Sequence, residues 1–200
     1  MSGKLLLSTA YLPPVEYFAL IKKADTILIE KEENYLKQTY RNRCRILSPN
    51  GPQLLSVPVK KGSLHKTKLK EIEIDYSKRW QQVHLRAFSS SYGSSPYFLY
   101  YYSDFERIIV RNHRFLLDLN MELLESILDI LKLSVSVYFT SVFEPVASSD
   151  CDFRYRITPK TGSDYKANEY YQVFRGRSFV PDLSIIDLIF NMGPESTGLL

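Results

Sequence analysis

The stretch KLLLSTAYLPPVEYFALIKKADTILI, residues 4–29, decides the fold that we predict for this chain. The apolar run at residues 4–9 indicates a short buried strand, and Pro14 suits the first turn of a helix. Apolar residues recur at helical spacing from Tyr17 to Ala24, and the β-branched run at 26–29 indicates a second strand. This strand–helix–strand order predicts a parallel pair joined by a right-handed crossover.

The remaining segments predict an α/β fold in which the N-terminal βαβ unit joins a mixed sheet flanked by helices. Runs at 44–47 and 53–59 flank Asn50-Gly51, a hairpin signal, and the neighbouring prolines favour a loop longer than two residues. Ile72 and Ile74 indicate another short strand. Helices are expected at 80–88, 97–109 and 119–130, a strand at 135–139 and a long irregular loop at 144–169. The length suits a single domain spanning residues 1–200.

Composition excludes several classes of protein. The net charge of +4 is smaller than that of a dedicated nucleic-acid binder, so we expect no nucleic acid partner, and an RNA-binding module is only a weaker alternative. No apolar run approaches the roughly 20 residues of a membrane span, and the N-terminus lacks a secretion signal, which predicts a cytoplasmic protein without membrane insertion. Cys44 and Cys151 are too few for a disulfide framework or a zinc site. No motif identifies a cofactor or a metal.

The C-terminal stretch FVPDLSIIDLIFNMGPE, residues 179–195, predicts a loop, a helix and an abrupt end. Ser184 is a candidate helix cap, with Asp187 three residues later as in a capping box. Asp187 and Asn191 are four residues apart and therefore share one helix face. If this face points inward, the two side chains can bind sugar hydroxyls or orient a base. The alternative is that both residues only cap the helix ends.

Cationic side chains supply the other candidates. Arg41, Arg43 and Arg45 would share one face of a strand and, with Asn42, form a wall that binds phosphate or carboxylate; the alternative is a solvated strand face. Lys60 begins a lysine-rich stretch that can steer an anionic ligand, or is simply a solvated loop. A further cationic pair, Arg156 and Lys160, can clamp an anionic donor.

His84 is the histidine with the clearest candidate role. It follows Trp80 by one helical turn, so both side chains lie on the same face. A histidine in this position can act as a general base or bind phosphate. The alternative is a histidine packed against the tryptophan.

An ordered series of segments resembles the WbqC-like family, bacterial proteins associated with surface-polysaccharide (O-antigen) biosynthesis. Tyr11-Leu-Pro13 and Tyr17-Phe18 match its opening motif, although Ser8-Thr9, Pro14 and Glu16 stand where the family has Gln-Pro, Trp and Gly. The other matching segments are Arg41-Asn-Arg43, Val57-Pro-Val-Lys60, Trp80 to Leu85, Ser91 to Phe98, Arg154 to Lys160, Tyr170 to Phe174 and the C-terminal stretch.

The resemblance implies group transfer, of an acyl or aminoacyl group, to an amino-sugar nucleotide, and therefore a possible transferase. A non-catalytic protein that binds a sugar nucleotide or a glycan intermediate is the alternative. The expected partner is a sugar nucleotide or another phosphate-bearing small molecule. The expected catalytic residues are His84 and Asp187. The expected substrate-binding residues are Tyr11, Arg41, Asn42, Arg43, Lys60, Arg156, Lys160, Gln172 and Asn191.

Overall fold

A parallel sheet forms the centre of the computed structural model, which describes residues 3–60, 66–145, 151–160, 165–174 and 178–200. Strand β1 (Lys4–Ser8) pairs in parallel with β2 (Thr26–Glu30), with Leu5 opposite Ile27, and helix α1 (Val15–Ile21) connects the two strands. The predicted parallel βαβ unit is therefore confirmed. Alternate residues of both strands are buried, so one face of the sheet packs on the core.

Strand β5 (Ser136–Phe139) completes the sheet in the order β1-β2-β5, and it is also parallel to β2. The free side of β1 is covered by the chain around Asp152, because the amide of Leu6 donates to Cys151 O and the amide of Phe153 donates to Leu6 O. The α/β class is confirmed, and the antiparallel pairing lies in a separate hairpin.

The hairpin consists of β3 (Arg43–Ser48) and β4 (Gly51–Ser56). Ser48 pairs with Gly51, so the loop is the two residues Pro49 and Asn50, and the prediction of a longer loop was wrong. The φ of 110° at Gly51 and a hydrogen bond of 2.7 Å from Ser48 Oγ to Gly51 O allow this tight turn.

The strand predicted at Ile72 and Ile74 is absent from the described structure. Isolated bridges pair Ile74 with Val59 and Glu73 with Phe115, and the preceding residues, Leu69–Glu71, form a single 3₁₀ turn. Segments from three parts of the chain meet here, so backbone pairing occurs without a continuous ladder.

Three long helices pack in sequence, α2 (Trp80–Tyr92) on the hairpin strand β3 and on α3 (Phe98–Ile109), and α3 on α4 (Leu116–Leu131). The serines near the end of α2 do not interrupt it, because the hydroxyls of Ser89 and Ser90 donate to carbonyls of the preceding turn. Leu119, Leu123 and Ile127 are buried, as the helical periodicity predicts.

Helix α5 (Ile185–Met192) is buried from Ile185 to Asn191 and leads into a 3₁₀ turn (Gly193–Glu195) and the short helix α6 (Ser196–Leu199). Phe190 lies against the rings of Tyr92, Phe98 and Phe105, with centroid distances of 5.4, 5.2 and 5.5 Å. The last helices therefore join the rest of the core. Among the described residues, none of the helices has the length and apolar character that a membrane crossing requires.

Candidate functional site

A pocket of about 320 Å³ lies next to the carboxyl end of β1. A small recess lined by residues 8–10, which directly follow β1, shares Tyr40 and Ile157 with it. Open α/β sheets bind ligands at this end of their strands. We call the pocket of about 320 Å³ the Tyr40 pocket. Its lining residues are Pro14, Glu16, Tyr40, Arg45, Pro52, Leu54, the loop 156–160 and Asp182.

Several elements contribute side chains to the Tyr40 pocket. Glu16 lies in the first turn of α1 and Arg45 in β3, while Asp182 precedes the cap of α5. Asp182 has a φ of 59°, a left-handed conformation that aspartate tolerates better than most residues. Hydrogen bonds from Val15 N to Leu183 O and from Ile185 N to Pro13 O hold the starts of α1 and α5 together. The pocket is therefore built on the junction of two helix starts.

The pocket carries charges of both signs. Arg45, Arg156 and Lys160 are its cations, and Glu16 and Asp182 are its carboxylates. Burial, and next the Asp182 carboxylate, raise the pKa of Tyr40 to about 12, so this hydroxyl keeps its proton at neutral pH. The site can therefore offer charge-assisted hydrogen bonds to an anion and acceptors to hydroxyl or amino groups.

A buried ionic cluster anchors the loop that supplies Arg156 and Lys160. The Arg154 guanidinium lies 2.9 Å from Glu30 Oε2 and 2.6 Å from Asp152 Oδ2, and it also donates to Glu144 O at 2.9 Å. Arg154, Glu30 and Asp152 are all buried. We call these three residues the Arg154 cluster. It ties the loop to the carboxyl end of β2 and so fixes one wall of the Tyr40 pocket.

The predicted arginine wall divides in the structure. Arg41 precedes β3, is buried and binds Glu33 at 2.7 Å and Ser8 Oγ at 2.6 Å, in the recess beyond β1. Arg43 and Arg45 are half-buried on the strand itself. The three guanidinium groups therefore do not share one face, because the strand begins after Arg41.

The neighbouring polar candidates have different surroundings. The Asn42 side chain is buried and donates to Val57 O at 2.8 Å. The Lys60 amine is exposed and pairs with Glu73 at 2.5 Å. Lys68 and Lys70 both pair with Glu32 at 2.7 Å, and His65 lies outside the described residues.

His84 and Tyr11 are brought together, but in the interior. Tyr11 Oη lies 2.8 Å from His84 Nδ1, and the Trp80 ring centroid lies 5.1 Å from that of the histidine. Burial lowers the pKa of His84 to about 4, although a hydrogen bond with the backbone of Ser56 raises it in part. The histidine is therefore neutral at pH 7. These are the surroundings of a packed histidine, and its catalytic role stays a prediction.

Asp187 is fully buried and does not form the expected capping box. Its Oδ2 accepts from Tyr170 Oη at 2.8 Å and from Gln172 Nε2 at 3.1 Å, whereas the amide of Ser184 donates to Arg45 O. Ser184 itself caps the helix by accepting from Ile186 N. The inward orientation of Asp187 is thus observed, and both of these partners of Oδ2 belong to the irregular loop before α5.

Gln172 and Asn191 complete this interior arrangement. The Gln172 amide binds both N and O of Val180, each at 3.0 Å, and Asn191 Nδ2 donates to Asp187 O at 2.7 Å. Asp187 and Gln172 therefore join α5, the segment 165–174 and the chain leading to Asp182. Their observed contacts are within the protein.

Asp187→Asn should remove a pH dependence of stability. Burial raises the pKa of Asp187 to about 6, although hydrogen bonds from Tyr170, Tyr92 and Gln172 lower it in part. Between about pH 4 and pH 6 the folded protein holds a proton that the unfolded chain releases, so the free energy of unfolding falls as pH rises, by at most about 3 kcal/mol. Urea unfolding from pH 4 to 7 measures the difference in the free energy of unfolding between wild type and variant. This difference should change between about pH 4 and pH 6.

Asp129→Asn is the control for this measurement, because Asp129 is an exposed carboxyl in α4. It should keep the wild-type pH dependence. If the free energy of unfolding has the same pH dependence in the wild type and in Asp187→Asn, Asp187 is not the group responsible.

Sequence reasoning missed most of the pocket. Glu16 and Asp182 were not selected, and Arg45 was considered only as part of the arginine wall. One signal was present, since Glu16 replaces the glycine of the motif that the opening segment resembles. Within the described ranges, no group of three or more His, Cys, Asp or Glu side chains is arranged to hold a metal ion.

Comparisons with known proteins define the class. The chain belongs to the WbqC-like protein family, whose sequence model matches residues 9–167 and 161–198. An uncharacterized protein of Mycobacterium tuberculosis is 29% identical over 232 aligned residues, which cover 100% of this chain and 98% of that protein. No solved structure matches the chain significantly.

Proposed function

We propose that this protein binds a sugar nucleotide or a similar phosphate-bearing small molecule in the Tyr40 pocket and transfers an acyl or aminoacyl group to an amino-sugar nucleotide in surface-polysaccharide (O-antigen) biosynthesis. The observation that carries the proposal is the grouping of Arg45, Arg156 and Lys160 with two carboxylates around one pocket. Its volume of about 320 Å³ is within the usual range for small-molecule sites.

The cations are suited to the phosphates. Guanidinium groups bind phosphate oxygens with paired hydrogen bonds, and a lysine amine adds a mobile point charge. The Arg156 guanidinium lies 5.0 Å from the Phe153 ring centroid, which restricts its orientation. Tyr40 and the two carboxylates line the same pocket, and their oxygens suit the hydroxyl and amino groups of the sugar.

The transfer step needs a base beside the acceptor amine. In this step the amine nitrogen attacks the carbonyl carbon of an activated acyl or aminoacyl ester, a C–N bond forms, the bond to the leaving group breaks and the nitrogen loses a proton. Glu16 and Asp182 line the pocket, and we propose that one of these carboxylates accepts that proton. His84 and Asp187 are buried, so we assign them the positioning of the pocket walls.

The alternative function is a non-catalytic protein that binds a sugar nucleotide or a glycan intermediate. One observation favours it: the two residues that sequence reasoning selected as catalytic are buried and bind other residues of the interior, His84 Nδ1 with Tyr11 and Asp187 Oδ2 with Tyr170 and Gln172. In this case the same pocket binds the ligand and no group is transferred.

Binding is tested with the double variant Arg45→Gln/Arg156→Gln. We expect UDP-glucosamine to raise the melting temperature of the wild type, and the double variant to bind it at least 10-fold more weakly, because each hydrogen bond to a charged group contributes about 1.5–3 kcal/mol. Isothermal titration calorimetry gives the affinities.

Arg107→Gln is the matched control, since Arg107 is exposed on α3, outside the pocket lining. It should bind like the wild type. The absence of any thermal shift with UDP-glucosamine, UDP-N-acetylglucosamine or glucosamine 6-phosphate would contradict the proposal. Mass spectrometry of UDP-glucosamine incubated with an acyl thioester or aminoacyl ester distinguishes the transferase from the binder.

A further inference from the structure

The outer edge of β5 is open along its length in the part of the chain that the structure describes. The strand order ends at β5, and the amides of Ser136 and Thr140 donate inward, to Asp25 O and Ile29 O. In a parallel pair, backbone groups of alternate residues point to opposite sides, so Val137 and Phe139 direct N–H and C=O away from β2. Such a row of unpaired groups is a template for another strand.

The side chains do not protect this edge. Natural edge strands usually carry a lysine, a proline or a bulge that opposes pairing. Residues 133–143 contain no charged residue and no proline, and they are rich in valine and aromatic residues. The exposed fractions of Tyr138, Phe139 and Val142 are 58%, 43% and 69%. An extended segment that is apolar, uncharged and exposed is expected to be covered by a partner.

We propose that the partner is a second copy of this chain, paired through β5 in antiparallel orientation about a two-fold axis. A two-fold axis brings residues close to their own counterparts in the second copy, so a charged residue near the axis would repel its counterpart. Strand β5 contains no charged residue. With Val137 opposite Phe139 of the second copy, each pair exchanges two backbone hydrogen bonds. Tyr138 then faces its own counterpart, and aromatic pairs in this position contribute about 0.2–1 kcal/mol. The two three-stranded sheets become one six-stranded sheet.

Tyr138→Lys tests this interface. Light scattering after size exclusion should give the wild type a mass of twice the 23.3 kDa chain at high concentration, with dissociation on dilution. Tyr138→Lys places two like charges opposite each other and should be monomeric at every concentration. Tyr100→Lys is the matched control, because Tyr100 is 75% exposed on α3, and it should dimerise like the wild type.

A cross-link fixes the register. In a background where the exposed Cys151 is replaced by serine, Tyr138→Cys should form a disulfide-linked dimer on mild oxidation, because opposed Cα atoms about 4.5 Å apart permit a disulfide. Tyr100→Cys in the same background should not. A wild type that is monomeric at all concentrations, or a dimer that Tyr138→Lys leaves intact, would overturn the proposal.

Discussion

Arg154→Met should lower the free energy of unfolding by about 3–5 kcal/mol, the usual result of removing one partner from a buried ion pair. The loss is large because Glu30 and Asp152 remain buried without their cation. Methionine keeps most of the side-chain volume, so the electrostatic effect dominates. Urea unfolding followed by circular dichroism measures it.

Two further variants distinguish this cause from lost packing. Arg114→Met removes an exposed pair with Glu73, since the Arg114 side chain is 72% exposed, and should cost less than about 1 kcal/mol. Combining Arg154→Met with Glu30→Gln and Asp152→Asn removes the unpaired charges and should recover part of the stability. If the triple variant is less stable than Arg154→Met alone, uncompensated charge is not the cause.

Gly193→Ala should destabilise the protein by about 2–5 kcal/mol, from overpacking and from left-handed strain together. Gly193 has φ 52° and ψ −123°, and a Cβ at this position would overlap the Tyr97 ring. The close approach is fixed by the core, because the amide of Tyr97 donates to Phe190 O. Thermal and urea unfolding provide the measurement.

Gly198→Ala is the control for the glycine prediction. Gly198 lies in α6, and a Cβ there meets nothing within 4 Å, so alanine should be neutral or stabilise by up to about 1 kcal/mol. Equal effects of the two substitutions would show that the Tyr97 contact has no part in the loss. Gly193 explains the abrupt end of α5, because the chain at this point needs glycine for space as well as for backbone conformation.

Local sequence patterns were sufficient for most elements. The βαβ unit, the hairpin pairing and the buried face of α4 follow from periodicity, which depends on residues within a few positions of each other. The hairpin loop was misjudged because Pro49 was taken as an obstacle to a tight turn, although it occupies the turn itself.

The site was harder to predict because its parts are distant in the sequence. Periodicity placed Asp187 and Asn191 on one face of α5, and the structure confirms that this face is buried. It could not identify Tyr170 and Gln172 as partners, since they belong to an irregular loop without a repeating pattern. Likewise, Glu16 and Arg156 meet at one pocket only through the packing of the whole chain.

The parallel order β1-β2-β5 also determines when the protein can fold during translation. More than a hundred residues separate Glu30 from Ser136, so at roughly 5–20 residues per second the ribosome needs about 5 to 20 s to supply the third strand. The start of α1 waits longer, because the amide of Val15 donates to Leu183 O and Leu183 is synthesised after β5. The nascent βαβ unit therefore leaves the ribosome with an unpaired edge and an incomplete core, and the native structure forms only after Leu183 has been synthesised.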